Sequence, residues 1–450
     1  MRLALLGGGG FRVPLVHADL LADPDGLVDE LVLHDLDAER LAAITAVLRQ
    51  QAGGATRPRL RPTTDLVTAL TGADAVFVAI RTGGLAGRAA DERIALRHGL
   101  LGQETVGPGG ICFALRAIPV AVDIARRVAE RAPGAWVVNF TNPAGMVTEA
   151  MAGVLGDRVI GVCDSPDALC RRVAGALGVD PERAAFDYVG LNHLGWLRAV
   201  VVDGRDRLPE LLADDAALRS FEEGRLFHPE WLRALGALPN EYLHYYYATR
   251  ETVERLRATG ATRGEFLRAQ QEEFYRAARR DPRAALRLWR RARAEREDTY
   301  LAEARDAVGA GPRDAADVEA GGYQRIALDL LRALATGRRD TMILDVRNRH
   351  GLAGLDRDAV VEVPCLVDAG GARPLAVAPV REHLAALMRA VRAVERDALT
   401  AATERDRAAA LRAIAGHPLV DSVGAARRVL ADYVATFPEL ADLGEQDGPD

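Results

Sequence analysis

Short apolar runs alternate with segments of helical periodicity over the first 165 residues. Strand–helix alternation at this spacing is typical of a parallel sheet with helices packed on both faces. The pattern predicts an α/β fold in which residues 1–165 form a Rossmann-like, doubly wound parallel sheet. Its predicted strands are residues 2–6, 30–37, 73–80, 135–140 and 158–162, and its clearest helices are 11–23, 39–52 and 114–132.

From residue 166 onward helical segments dominate, and short strand-like pieces interrupt them. A chain of 450 residues is long enough for two domains, since single domains commonly have about 150. We therefore expect a helix-rich α+β domain over residues 166–450 that contributes substrate and oligomer contacts. Its predicted helices are 166–177, 208–220, 229–235, 249–259, 263–306 and 376–435, its strand-like pieces are 196–204, 341–348 and 360–367, and its best candidate for a loop is 311–323.

The charge and the cysteine content narrow the class of protein. A net charge of −6 argues against nucleic-acid binding. The four cysteines follow no disulfide-like spacing, which favours reduced thiols and a cytoplasmic location. The first apolar run is too short for a secretory signal, and no stretch approaches the roughly 18 apolar residues of a membrane helix. We expect a protein that binds neither nucleic acid nor membrane.

Four consecutive glycines, Gly7–Gly10, follow the first predicted strand and precede the first predicted helix. Such a turn lets backbone N–H groups approach the pyrophosphate of a dinucleotide. Asp35, at the end of the second strand, is placed to bind the adenosine ribose and to disfavour a 2′-phosphate. The G-x-G-x-x-G pattern is incomplete because Arg12 occupies its last position, so a tight turn beside a solvated acid is the alternative. The order of elements favours NAD over NADP.

Cys163 and His193 each follow an apolar, strand-like run. A thiolate and an imidazole suit Mn²⁺, Fe²⁺, Co²⁺, Ni²⁺ or Zn²⁺, and two protein ligands leave room for substrate oxygens. No C-x-x-C spacing accompanies them. A buried structural cysteine and a satisfied core histidine therefore stay open as the alternative.

Two stretches that follow predicted strands carry candidate substrate ligands. Residues 81–111 are rich in glycine, arginine and acids, and Arg81 with Arg88 could clamp a phosphate. Asn142 follows a later strand at the same edge of the sheet, where ligands of such folds bind. The alternatives are a flexible surface loop for 81–111 and a turn-initiating role for Asn142.

A tyrosine-rich stretch, PNEYLHYYYATRE, occupies residues 239–251. Helical spacing places Tyr242, Tyr245 and Tyr246 on one face. One interpretation is an aromatic stripe in the core. The other is a tyrosinate base, which requires a nearby cation to lower a pKa that is about 10 when unperturbed.

Together these stretches resemble glycoside hydrolase family four, the NAD- and divalent-metal-dependent glycosidases. The family is an exception to two-carboxylate glycoside hydrolysis. The resemblance implies the dinucleotide-binding fold that lactate dehydrogenase and these glycosidases share. The GQETVGPGG and NFTNPAG blocks are specific to the family, whereas the glycine turn is not. The matching stretches come in the family's order and cover essentially the whole chain: RTGGLAGRAADERIALRHGLLGQETVGPGG, NFTNPAG, GVCDSP, GLNHLGW and YLHYYY.

The resemblance implies roles for particular residues. Cys163 and His193 would hold Mn²⁺ or a similar ion, and Tyr242 would be the base. Glu104 would tune that tyrosine, and Asp164 occupies the position of a proton donor. The other implied contacts are to substrate, from Arg88, Asn142 and Arg263, and to NAD, from Gly7, Gly8, Gly9, Gly10, Phe11, Asp35 and Arg81.

The implied reaction is a hydrolysis without net redox change. NAD⁺ oxidises C3 of the sugar, and the metal polarises the resulting ketone so that the C2 proton becomes acidic. The tyrosine removes that proton, and the glycosidic bond at C1 breaks by elimination. Water then adds, and NADH returns the hydride.

The expected substrate is a small phosphorylated glycoside, and the first hypothesis is a 6-phospho-β-glucosidase that forms a homodimer or homotetramer. A 6-phospho-α-glucosidase or an α-galactosidase of the same family stays open. So do a net NAD-dependent sugar or hydroxyacid dehydrogenase and a non-catalytic NAD-binding regulator. Two departures from the family pattern bear on the 6-phosphate: the turn GGGGFRVP lacks the family's serines, and Ala320 stands where an arginine is common.

Overall fold

One mixed sheet runs through the computed structural model, which describes residues 1–310 and 322–443. Its strands are β1 (Arg2–Leu6), β2 (Glu30–His34), β3 (Arg59–Thr63), β4 (Ala75–Val78), β5 (Trp136–Asn139), β6 (Val159–Gly161), β7 (Ala185–Leu191), β8 (Leu194–Val202), β9 (Arg205–Asp206), β10 (Leu238–Pro239), β11 (Asp340–Arg347), β12 (Val360–Asp368) and β13 (Gly371–Pro374). Their order is β10-β8-β7-β12-β11-β6-β5-β4-β1-β2-β3, with β9 paired to β8 and β13 paired to β12.

The first six strands form a parallel half-sheet in the order β3-β2-β1-β4-β5-β6. This is the strand order of a dinucleotide-binding Rossmann fold. Successive strands are added on one side of β1 up to β3, and from β4 onward they are added on its other side. Alternate residues of β1 enter two cores, because Leu3 and Leu5 pack on one face and Ala4 and Leu6 on the other. Burial on both faces explains the continuous apolar run of this strand. The predicted doubly wound parallel sheet is confirmed for this half.

The sheet continues past β6 into the second half of the chain. Strand β11 pairs antiparallel to β6, and β12, β7, β8 and β10 follow with antiparallel pairing. The predicted helix-rich α+β character of residues 166–450 is confirmed. The division into two domains, 1–165 and 166–450, stays a prediction.

Helices pack on both faces of the sheet and form two apolar cores with it. They are α1 (Val13–Ala22), α2 (Ala38–Ala52), α3 (Leu66–Leu70), α4 (Gly84–Arg97), α5 (Gly107–Arg131), α6 (Ala144–Leu155), α7 (Ser165–Leu177), α8 (Leu208–Ala213), α9 (Asp215–Arg219), α10 (Glu222–Leu226), α11 (Pro229–Leu235), α12 (His244–Tyr247), α13 (Thr249–Thr259), α14 (Arg263–Arg280), α15 (Ala285–Asp298), α16 (Ala302–Val308), α17 (Tyr323–Thr336), α18 (Glu382–Glu404), α19 (Arg407–Ala415) and α20 (Val423–Thr436). Short 3-10 turns lie at Gly156–Arg158, Pro181–Arg183, Glu241–Leu243, Pro282–Ala284 and Pro438–Leu443.

The sequence did not predict β3, which lies at the edge of the sheet. Its residues RLRPT are largely solvent-exposed, so the strand lacks the apolar run that marks a buried one. The second predicted strand, 30–37, ends at His34. Asp35 therefore lies in the connection that leads to α2.

The stretch 81–111, interpreted as a glycine-rich segment with a flexible loop as its alternative, contains helix α4 and the start of α5. Gly83 adopts the left-handed conformation at φ 78° and precedes the first turn of α4. The residues that follow, LAGRAADERIALR, are mostly strong helix formers. Residues 81–83 and the segment between α4 and α5 are the non-helical parts of this stretch.

The long helical segments predicted at 263–306 and 376–435 each divide into three helices. The first is interrupted at Pro282 and again at Leu301, and the second is interrupted after Glu404 and again at residues 416–422. The predicted loop 311–323, which includes Ala320, lies outside the described residues except for Gly322 and Tyr323, where α17 begins.

Helix α5 is long and apolar enough to cross a membrane by length and composition, contrary to the expectation that no stretch approaches this limit. Within its apolar window, 78% of the residues are buried inside the protein. Its apolar residues, among them Ile111, Phe113, Leu115 and Ile118, belong to the core that this helix forms with the sheet, α6 and α18. Its composition is that of a buried core helix.

Candidate active site

A cavity of about 910 Å³ opens at the carboxyl ends of the parallel strands. It extends from the turn after β1 past the ends of β2, β4, β5 and β6. This edge includes the reversal of strand order between β1 and β4, where ligands bind in such sheets. Of the residues selected from the sequence, those lining the cavity are Gly7, Gly10, Phe11, Asp35, Arg81, Arg88, Glu104, Asn142, Cys163, Asp164, His193, Tyr242 and Arg263.

The glycine turn is tied to the end of β2. The Gly9 N–H donates to Asp35 Oδ2 at 2.9 Å, and the Gly10 N–H donates to the Gly7 carbonyl at 2.8 Å. A Cβ on Gly8 would lie 2.8 Å from the His34 nitrogen, and one on Gly9 would lie 2.8 Å from Asp35 Oδ2. Gly8 and Gly9 therefore do not line the cavity themselves. Their lack of a side chain allows the turn that forms the cavity wall to pack closely against the end of β2. Because the N–H groups of all four glycines donate within the protein, the pyrophosphate of a dinucleotide would meet the N-terminus of α1, which this close-packed turn brings to the cavity.

Two arginines bind one buried carboxylate at the centre of the cavity. Glu104 accepts ion pairs from Arg81 at 2.5 Å and from Arg88 at 2.6 Å, and Arg88 also binds Glu92 at 2.8 Å. Burial would raise the pKa of Glu104, but Arg81, Arg88 and Arg296 lower it to about 2. Because Glu104 engages both guanidinium groups, the structure does not favour the hypothesis that Arg81 and Arg88 clamp a phosphate.

Cys163 and Asp164 lie between the end of β6 and the start of α7. The Cys163 side chain is buried, and burial together with the carboxylates of Glu362 and Asp164 raises the pKa of its thiol. A thiol in such a place ionises only when a cation is close to its sulfur. No group of three His, Cys, Asp or Glu side chains with metal-site geometry occurs among the described residues, so a metal here would have two protein ligands and open positions.

His193 lies at the tip of the β7–β8 hairpin with φ 62°, a conformation that few non-glycine residues adopt. Burial lowers the pKa of its imidazole to about 4, so the ring is neutral. Nδ1 lies 3.0 Å from Thr105 Oγ1, and that hydroxyl is 3.0 Å from Gln103 Oε1. Since an amide oxygen only accepts, Thr105 donates to Gln103 and accepts from Nδ1–H. The lone pair of Nε2 is then available to a metal ion.

Replacing Thr105 with valine removes the hydroxyl that sets this tautomer. We expect Mn²⁺ affinity, measured by electron paramagnetic resonance of free Mn²⁺, to fall about 10- to 100-fold. Serine at the same position keeps the hydroxyl and is the matched control. Equal Mn²⁺ affinity in the valine and serine variants would contradict the assigned hydrogen-bond direction.

Tyr242 lies in the 3-10 turn Glu241–Leu243, and its ring stacks on the His193 imidazole. The ring centroids are 3.6 Å apart and the planes differ by 5°. Its hydroxyl is hydrogen-bonded to that of Tyr300. Burial, followed by the charges of Glu241 and Cys163, raises the pKa of Tyr242. Proton abstraction by this tyrosine therefore requires positive charge near its oxygen.

The three tyrosines that were predicted to share one helical face do not all line the same cavity. Tyr242 and Tyr245 line the large cavity. Tyr246 instead borders a small second cavity, where its ring lies 5.8 Å from that of His417. The reason is that the stretch is divided between a 3-10 turn and the short helix α12, so regular helical spacing does not apply.

The residues between α14 and α16 contribute side chains that the sequence analysis missed. Arg296 and Tyr300 both line the cavity. Arg263, which was predicted, donates to the carbonyl of Arg296 at 2.9 Å and to the hydroxyl of Thr299. No motif marks Arg296 or Tyr300, because distant packing brings them to the sheet edge. Thr105 could have been identified from the sequence, because it belongs to the GQETVGPGG block.

The family profile described as Family 4 glycosyl hydrolase matches residues 2–179, and the profile described as its C-terminal domain matches residues 188–420. A probable 6-phospho-β-glucosidase of Bacillus subtilis (strain 168) is 31% identical over 447 residues, covering 96% of each chain.

Solved structures extend the similarity to three dimensions. The 6-phospho-β-glucosidase of Thermotoga maritima, solved with manganese, NAD⁺ and glucose 6-phosphate, has a TM-score of 0.80 and 26% identity, and the match covers 98% of this chain and 99% of that one. A 6-phospho-α-glucosidase from gut microorganisms, solved with NAD and Mn²⁺, has a TM-score of 0.77 and 25% identity, with 97% of each chain covered. The predicted family is confirmed: this chain belongs to glycoside hydrolase family 4.

Proposed function

We propose that this protein hydrolyses 6-phospho-β-glucosides with NAD and a divalent metal ion such as Mn²⁺. The single observation that carries the proposal is Tyr242 stacked on His193 in the same cavity as the glycine turn. The stacking supports Tyr242 as the base, since a metal held by His193 would lie next to its ring. Family membership and relatives that act on 6-phospho-glucosides support the same activity.

The chain's own residues fit both groups. The glycine turn and Asp35 would hold NAD, and Cys163 with the free Nε2 of His193 would hold the metal. When bound, NAD⁺ accepts hydride from C3 of the sugar and the metal withdraws electron density at the C3 oxygen, so that the neighbouring C2 proton becomes acidic.

Protein side chains perform the remaining steps. Tyr242 accepts the C2 proton at its phenolic oxygen, and a metal ion held by Cys163 and His193 would supply the positive charge that lowers the pKa that burial raises. Asp164, in the same cavity, donates a proton to the departing glycosidic oxygen. Glu104 holds Arg88 in place for the sugar, while Asn142 and Arg263 complete the substrate contacts.

Two other activities remain as alternatives. The fold leaves the α-anomer open, since 6-phospho-α-glucosidases also resemble this chain. A net dehydrogenase of the hydroxyacid type uses a His–Asp pair at the substrate. The His98–Asp432 pair, at 2.9 Å, lies away from the cavity, and neither residue lines it. The arrangement around Tyr242 therefore favours elimination over net oxidation.

The test is release of p-nitrophenol from p-nitrophenyl 6-phospho-β-D-glucoside under reducing conditions, with NAD⁺ and Mn²⁺ present and then with each omitted. We expect release that requires both and no net accumulation of NADH. Release without either, or steady NADH formation, would contradict the proposed function. Activity confined to the α-anomer would reassign the substrate within the family.

The setting of this activity is also part of the proposal. We infer a cytoplasmic enzyme, because all four cysteines are buried and free. We further infer a homodimer or homotetramer whose ligands are small molecules, with neither nucleic acid nor membrane as a partner. The net charge of −6 is consistent with this choice of partners.

A further inference from the structure

Arg296 is a cavity-lining arginine without a carboxylate partner. It lies in the last turn of α15, and its side chain faces the same cavity as Tyr242. Among the described residues, no hydrogen-bond acceptor or carboxylate lies within bonding distance of its guanidinium. Arg88 and Arg81 differ in this respect, since both are bound by Glu104.

The position of Arg296 is fixed from two sides. The carbonyl of Arg296 accepts a hydrogen bond from Arg263 at 2.9 Å, which ties the end of α15 to α14. Its guanidinium lies 5.9 Å from the ring of Phe11. That ring is itself held, since Phe274 packs edge-on at 5.5 Å and the Trp289 indole donates to the Phe11 carbonyl at 2.8 Å. The cation is thus preorganised rather than free to turn to solvent.

Other cations surround Arg296. Burial, followed by the charges of Arg12, Arg263 and Arg88, lowers the pKa of its guanidinium to about 9. Its charge also helps to lower the pKa of Glu104. Glu104 and Glu92 offset the charge of Arg88, whereas no carboxylate of the described residues is ion-paired to Arg296, so an entering anion would relieve the repulsion on Arg296. The arrangement therefore selects an anionic ligand group.

We propose that Arg296 recognises the phosphate group of the sugar ligand, with its guanidinium fork on the phosphate oxygens and Arg263 holding the helix end beneath it. A planar guanidinium binds phosphate through two parallel hydrogen bonds, and it keeps its charge on burial better than an ammonium does. The inference rests on the proposed function and deepens it, because it assigns the residue that separates phosphorylated from unphosphorylated glycosides. The pyrophosphate of the dinucleotide is the other phosphate source. The N–H groups of Gly7–Gly10 all donate within the protein, so the N-terminus of α1 is the expected partner of that pyrophosphate.

The test compares Arg296→Gln, Arg296→Lys and wild type, each loaded with NAD⁺ and Mn²⁺. Titration calorimetry measures the affinity for glucose 6-phosphate and for glucose, and a separate titration measures NAD⁺. We expect glutamine to weaken glucose 6-phosphate binding about 30-fold, with lysine intermediate, since a charged hydrogen bond contributes on this scale. Glucose and NAD⁺ binding should change by less than about 3-fold. Arg290→Gln, on the exposed side of the same helix, is the matched control and should change neither.

Unchanged glucose 6-phosphate binding in Arg296→Gln would overturn the assignment. An equal loss of NAD⁺ and glucose 6-phosphate affinity would also overturn it and would place Arg296 on the pyrophosphate. Retained NAD⁺ binding shows that the glutamine variant is folded, and the lysine variant provides a second folded test of the guanidinium fork. A wild type that binds glucose 6-phosphate no better than glucose would instead contradict the 6-phospho specificity of the proposed function.

Discussion

Replacement of Tyr242 by phenylalanine is expected to lower kcat for the aryl 6-phospho-β-glucoside by about 10³-fold, the scale of a positioned general base. The variant loses one oxygen, the atom that we propose accepts the C2 proton, and keeps the ring that stacks on His193. Because stacking holds the ring in place, the cofactor sites should stay intact. NAD⁺ and Mn²⁺ affinities, measured by calorimetry, should remain within about 3-fold of wild type.

Tyr246→Phe is the matched control for that loss. Tyr246 lies four residues further on and borders the small second cavity beside His417, not the large one. It loses the same atom from an equally buried ring, so a general effect of removing a phenol would appear there too. We expect this variant to retain activity within a few-fold. Full activity in Tyr242→Phe, or equal losses in the two variants, would remove Tyr242 from the chemistry.

Replacement of Cys163 by serine is expected to weaken Mn²⁺ binding by about 100-fold or more, because a hydroxyl replaces the thiolate that we propose as a metal ligand. Hydrolysis at low Mn²⁺ should fall by a similar factor. Raising the Mn²⁺ concentration should restore part of it, since His193 remains. Electron paramagnetic resonance of Mn²⁺ measures the binding directly, and the assay at graded Mn²⁺ measures the rescue.

Cys170→Ala separates loss of a metal ligand from loss of a buried cysteine. Cys170 is also buried, on the adjacent helix α7, but it does not line the cavity. Its removal leaves a small void and should lower the melting temperature slightly without changing Mn²⁺ affinity. Unaltered Mn²⁺ binding in Cys163→Ser would mean that the metal lies elsewhere.

The local parts of the site could be predicted from the sequence. The glycine turn, Asp35 and Cys163 each follow a strand within one to four residues, so chain order alone places them at one sheet edge. The family blocks identified Tyr242 and His193 before any fold was known, and family membership is confirmed. Their stacking was not predictable, because 49 residues separate them and it depends on where the β7–β8 hairpin packs.

The distant parts were not predictable because periodicity does not specify partners. Strand β11 joins the parallel half-sheet from 180 residues beyond β6, and its apolar run is equally compatible with a separate sheet. Arg296 and Tyr300 lie on a polar, arginine-rich segment that is typical of a solvated helix. Only the packing of α15 against α2 and α14 turns these side chains towards the sheet edge. Long-range packing thus determines which further residues surround the predicted site residues in the cavity.

Hydrolysis in D₂O tests most directly whether the C2 proton is removed. If Tyr242 abstracts that proton and solvent returns it, glucose 6-phosphate released by the wild type will carry deuterium at C2, as nuclear magnetic resonance of the product will show. Protium at C2 in all of the product would contradict proton abstraction and would require direct displacement at C1 instead.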